Sequence, residues 1–148
     1  MRLSTHLNPQ VWIYGGSLTS GSGDRSIYDP TAWMRRDPEH NPFILVTFNY
    51  RTGIFGFFSC SDLEATDPQG LSGNFGAYDT IAALSWVQDN IKSFGGDPEN
   101  ITVFGESAGA FLASNLLVCG RRLFSRAILQ SAASSTMVRS LLGCTVRI

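Results

Sequence analysis

Ile101-Thr102-Val103-Phe104-Gly105-Glu106-Ser107-Ala108-Gly109-Ala110-Phe111-Leu112-Ala113 is the stretch on which the fold depends. Its first four residues are mostly β-branched or aromatic and read as a short buried strand. From Ala108 to Val118 the chain is rich in alanine and leucine, which favours a helix, and Gly120 closes it. Between the two stands Gly-Glu-Ser-Ala-Gly. In a G-x-S-x-G sequence the glycines permit a strained strand-to-helix turn that lifts the serine oxygen above the sheet. The string is short enough to arise by chance, so its meaning rests on the strand before it and the helix after it. Ser107 is the candidate nucleophile, a weak one until a base activates it.

Outward from this core, Val11-Trp12-Ile13-Tyr14 is a second short strand, closed by Gly15-Gly16 and the loop Ser17 to Asp24. Phe43 to Tyr50 is almost continuously apolar without alternation, which predicts a central parallel strand covered on both faces. Between Tyr78 and Phe94, Ile81, Leu84, Trp86, Val87, Ile91 and Phe94 recur mostly at three- and four-residue steps. This predicts a helix with Trp86 in the core, stopped by Gly95-Gly96-Asp97-Pro98. Ala127 to Ser131 makes a further strand. Strands alternating with helices define an α/β class with a doubly wound, mostly parallel sheet and helices on both faces. A length of 148 residues fits one domain, residues 1–148, and the tail Ser134 to Ile148 matches no clear element.

Composition narrows the function. Hydrophobic residues at 43% and charged residues at 16% describe a folded chain. Eleven basic against twelve acidic residues leave a net charge of −1, without the basic field that nucleic acid or an anionic membrane requires. Cys60, Cys119 and Cys144 form no CxxC pair, so no metal site is expected, and their odd number leaves at least one free thiol. Met1 to Gln10 has no apolar stretch of the secretory kind, and no apolar run reaches transmembrane length. The chain therefore reads as soluble and untargeted as it stands, an extracellular location requiring a longer form with a leader.

A serine that attacks an acyl carbon needs backbone donors facing the oxygen that becomes negative. Tyr14-Gly15-Gly16-Ser17 is the expected place, because glycine lets the backbone approach closely. The N–H groups of Gly16, Ser17 and Ala108 are the expected donors. A nucleotide-binding reading fails, since Gly15-Gly16-Ser17 fits neither G-x-G-x-x-G nor the phosphate-binding loop with its lysine.

Five ordered blocks, Val11-Trp12-Ile13-Tyr14-Gly15-Gly16, Asn49-Tyr50-Arg51, Gly73-Asn74-Phe75-Gly76, Phe94-Gly95-Gly96-Asp97-Pro98 and Phe104-Gly105-Glu106-Ser107-Ala108-Gly109, resemble the type-B carboxylesterase family, which includes cholinesterases and fungal lipases. The resemblance runs from about Val11 to Ala132. It implies an incomplete α/β-hydrolase core and hydrolysis of a small-molecule carboxylic ester or lipid through an acyl-enzyme, without cofactor. It also implies that Glu106 is a hydrogen-bonding carboxylate that buttresses the site. Two departures stand out. Ser17 replaces the family's usual third glycine, keeping the N–H but adding a Cβ toward the acyl group. The family's triad acid and histidine lie well downstream of the serine, where this chain has only 41 residues and no histidine.

His40 precedes the strand Phe43 to Tyr50, roughly 25 Å at ~3.3 Å per residue from the carboxyl end where ligands bind in such sheets. His6 likewise precedes its strand, so neither is placed to act as the base. Asp97 shapes a turn before its strand, and Asn100-Ile101-Thr102 is a formal glycosylation sequon abutting one. Little or no turnover and poor solubility are expected of the chain alone, its alternative identity being a non-catalytic fragment or a cholinesterase-like interaction module.

Overall fold

A computed structural model describes residues 7–36 and 42–131. His6, His40, Cys144 and the tail Ser134 to Ile148 lie outside the described residues. Four strands, β1 (Asn8–Ile13), β2 (Phe43–Thr47), β3 (Thr102–Glu106) and β4 (Arg126–Gln130), form one sheet in the order β2-β1-β3-β4. Every pairing is parallel. Helices α1 (Thr31–Arg36), α2 (Gly53–Phe57), α3 (Ser61–Thr66), α4 (Phe75–Asn90) and α5 (Ala108–Leu116) connect them.

The core lies between the sheet and α5. Alternation sends Val11, Ile13 and Val103 to one face, where all three are fully buried and belong to one cluster with Leu112, Ala113 and Leu116 of α5. Burying each of the larger side chains contributes about 1.5–3 kcal/mol. Trp12 points the other way, its ring packed on Phe104 at 4.9 Å and on Tyr28 at 5.2 Å.

β2 corrects the expectation of a central strand, because among the described residues it stands at one edge beside β1. Its side chains are only partly buried among the described residues, and an apolar run carries no information about which strand lies on either side. Trp86 corrects a second expectation. It is 52% exposed, against Phe94 at 6.2 Å, whereas Thr80, Leu84, Val87 and Ile91 make the buried stripe. Trp86 follows Leu84 by two residues, about 200° around the helix at 100° per residue, so it leaves the core face.

The blocks at the strand ends hold the connections in place. Asn49 accepts from the Gly23 N–H at 2.8 Å and the Ser22 hydroxyl at 3.1 Å. Arg51 clamps Asp79 of α4 through its backbone N–H (2.9 Å), Nε (2.8 Å) and a terminal nitrogen (2.7 Å), with its guanidinium over the Phe75 ring. The Asp97 side chain accepts the Glu99 N–H at 3.0 Å at the start of a single helical turn, as expected of a turn-shaping residue.

Candidate active site

The strand order reverses between β1 and β3, since the chain moves from β1 outward to β2 and then crosses back to the other side of β1. Crevices at the carboxyl ends of strands open at such a switch point. Ile13 pairs with Gly105, so the turn after β1 and the turn after β3 leave the sheet at the same level. Both sequence-predicted halves of the site are brought together there.

Ser107 occupies the turn between β3 and α5 with φ 53° and ψ −119°, a region costly for any residue with a Cβ. Its neighbours enforce this conformation. The Ser107 N–H donates to the Gln130 carbonyl of β4 at 2.9 Å, and the Ser107 carbonyl accepts the Phe111 N–H at 2.9 Å. A Cβ on Gly105 would lie 2.6 Å from the Gly109 carbonyl carbon, and one on Gly109 would run into the Ile13 carbonyl oxygen. Each glycine of the motif is thus required by contact with backbone. Ala108 is buried at the first position of α5, where helix N–H groups have no partner within the helix and attract negative charge.

Gly16 (φ 123°), Ser17 (φ 54°) and Leu18 (φ 63°) form three consecutive left-handed positions. Buried Leu18 anchors the turn, its carbonyl accepting the Gly53 N–H at 2.7 Å. The Gly16 carbonyl accepts the N–H groups of Thr19 (3.0 Å) and Ser20 (3.1 Å), while the N–H groups of Gly16 and Ser17 have no partner among the described residues. The approach to the Ser107 turn, the elbow between β3 and α5, is close: a Cβ on Gly15 would stand 2.7 Å from the Glu106 carbonyl oxygen and 3.2 Å from the Ser107 Cβ.

The Glu106 side chain lies over this turn, one carboxylate oxygen 2.9 Å from the Gly15 Cβ position. An open depression of about 490 Å³ adjoins it, lined by Gly15, Gly16, Ser20, Arg25, Tyr28 and Glu106 among others. The carboxylate accepts no hydrogen bond from any described residue, so the hydrogen-bonding role that the resemblance implied for Glu106 has no partner among them. No group of three or more potential metal ligands is found among the described residues, and no helix there is long and apolar enough to cross a membrane.

The residue types of Asn49-Tyr50-Arg51 give no sign of a role at the site. In the structure Tyr14 and Tyr50 clasp one another. The Tyr50 hydroxyl donates to the Tyr14 carbonyl at 2.9 Å, and the Tyr14 hydroxyl donates to the Tyr50 carbonyl at 3.1 Å and accepts the Tyr50 N–H at 3.3 Å. Their rings stack at 4.4 Å and 15°. Burial pushes both hydroxyls above the ordinary tyrosine value, so both remain protonated donors. A tyrosine closing each of two strands was the available signal, legible only once those strands are known to be neighbours.

A parallel sheet with a serine at a strained strand-to-helix turn defines a partial α/β-hydrolase fold. Residues 7–141 match the model of the carboxylesterase family, and the chain belongs to that family. It is 46% identical over 123 residues to the fumonisin B1 esterase of Sphingopyxis macrogoltabida, covering 82% of this chain and 22% of that protein. With the para-nitrobenzyl esterase of Bacillus subtilis it shares 42% identity over 138 residues, 92% of this chain and 27% of the other. A solved carboxylesterase of Geobacillus stearothermophilus superposes with a TM-score of 0.79 at 43% identity, over 88% of this chain and 28% of that one. The chain therefore spans about a quarter of the length of these relatives.

Proposed function

We propose that this chain carries the nucleophile and the oxyanion-stabilising half of a carboxylic ester hydrolase site. The Ser107 oxygen attacks the ester carbonyl carbon, and the oxygen that becomes negative is received by the N–H groups of Gly16, Ser17 and Ala108. The alcohol leaves with a proton, and water then releases the acid from Ser107. Glu106 stands beside the turn and lines the depression where part of the substrate would rest. The observation that carries this reading is the approach of Gly15, whose Cβ would stand 3.2 Å from the Ser107 Cβ, in a turn whose Gly16 and Ser17 N–H groups have no partner among the described residues.

No described residue supplies a histidine base, and loss of a triad histidine costs on the order of 10⁶ in rate while leaving about 10³–10⁴-fold catalysis over water. The 148-residue chain is therefore expected to acylate slowly and turn over little. Incubation with p-nitrophenyl acetate, followed by peptide mapping, should find slow acetylation of Ser107 that Ser107→Ala abolishes. No Ser107-dependent acetylation would sink the reading. Rapid multiple turnover abolished by Ser107→Ala would instead refute the expectation that the base is missing.

A further inference from the structure

We infer that Tyr50 is a positioning residue for the turn Gly15-Gly16-Ser17, acting through the Tyr14 carbonyl; this rests on the reading of that turn as the oxyanion site. The Tyr14 carbonyl oxygen is a junction of three segments. It directly follows β1, it receives the Tyr50 hydroxyl at 2.9 Å from the segment after β2, and it lies 2.8 Å from where a Cβ on Gly109 of α5 would stand. The carbonyl and the Gly15 N–H share one planar trans peptide, so fixing the oxygen fixes the plane from which Gly16 and Ser17 depart.

The other contacts of the clasp secure the backbone after β2, while ring stacking keeps Tyr50 beside the Tyr14 carbonyl. The Tyr14 ring stacks on that of Tyr50 and also lies against Gly21, where a Cβ would come 2.5 Å from a Tyr14 ring carbon. The Tyr14 hydroxyl in turn holds the Tyr50 backbone through both its N–H and its carbonyl. The two hydroxyls therefore have different tasks. That of Tyr14 secures the segment after β2, whereas that of Tyr50 alone touches the peptide leading into the turn. A misdirected donor is costly in such a site, because a preorganised N–H is useful only where charge develops.

The two conservative variants separate positioning from mere packing. Tyr50→Phe removes the bond to the Tyr14 carbonyl and keeps the rings, while Tyr14→Phe removes bonds to the Tyr50 backbone and leaves that carbonyl held. Each variant is compared with the parent chain by melting temperature and by the amide resonances of Gly16 and Ser17. Each is also titrated with 1-butaneboronic acid, whose boron becomes tetrahedral on accepting the Ser107 oxygen as the hydroxyl proton passes to solvent. Tyr50→Phe is expected to move the Gly16 and Ser17 amides and weaken the boronic acid about tenfold, less than the ~10²-fold or more that follows outright loss of an oxyanion donor. Tyr14→Phe is expected to lower the melting temperature comparably, to move the Gly16 and Ser17 amides less than Tyr50→Phe does, and to leave the boronic acid affinity within about twofold of the parent. Equal amide shifts in the two variants, or none in either, would overturn the inference. Failure of the parent chain to bind the boronic acid would tell against the ester-hydrolase reading, and the amide comparison would still decide the role of Tyr50.

Discussion

Gly109 sits against Ile13 so closely that a Cβ on the helix residue would overlap the strand's carbonyl oxygen. The first turn of α5 therefore rests directly on the backbone of β1, and the elbow cannot shift relative to the turn at Tyr14-Gly15-Gly16 without opening this contact.

Gly109→Ala should accordingly be among the most damaging single-methyl changes in the chain. Overpacking typically costs about 1–3 kcal/mol, and here the obstacle is backbone, which cannot rotate away. Urea unfolding should show the loss, and acetylation of Ser107 should fall with it. A Gly109→Ala chain as stable as the parent would mean that α5 does not rest on β1 in this way.

Ser107→Gly is predicted to stabilise the fold and abolish reactivity. At φ 53° and ψ −119° a Cβ costs roughly 1–3 kcal/mol, and glycine escapes this at the expense of greater freedom in the unfolded chain, leaving a gain of about 1 kcal/mol. Ser107→Ala keeps the Cβ and should leave stability near that of the parent. Parallel denaturation curves for the three chains separate the outcomes.

Asp79 gives a pH signature. Hydrogen bonds from the Arg51 side chain hold its carboxyl below the usual range, with the Arg51 backbone N–H and charge adding to them and burial opposing. Because the folded value is depressed, the stabilisation is complete above the ordinary value near 4 and is lost as pH falls through the folded one. Arg51 is 51% exposed, so solvent screening limits the effect to about 1 kcal/mol or less. Asp79→Asn should melt below the parent at pH 7, with the gap narrowing as the pH falls below about 4. A gap that widens in acid would contradict this assignment.

Ile128 (53% exposed) and Leu129 (37%) project to opposite faces of β4, beyond which no strand lies among the described residues. Open apolar edges invite association. The chain alone should self-associate with concentration in light scattering, and Ile128→Lys should reduce this. A sharp cooperative melt from a monomer would refute it.

What could be read from sequence follows a physical division. Strands and the long helix are local properties of Val11 to Tyr14, Ile101 to Phe104 and Leu84 to Ile91, so periodicity and β-branching reveal them. The left-handed run at Gly16-Ser17 was foreshadowed by its glycine. Strand order is not local: nothing in Phe43 to Thr47 states that β1 alone flanks it here. The Tyr14–Tyr50 clasp was hidden for the same reason, because its partners meet only when two strands already lie side by side. Trp86 is a different failure, since counting apolar steps without tracking their angle assigned it to the face of Leu84.

The pairing of Ile13 with Gly105 also bears on when the site comes into being. These residues are remote in the chain, and closing so long a loop must precede any contact between the two turns. During synthesis Gly16 and Ser17 emerge long before Ser107, with nothing to face. On the proposed reading the serine is chemically ordinary until β3 slots in beside β1, so its acetylation would report whether the sheet has assembled.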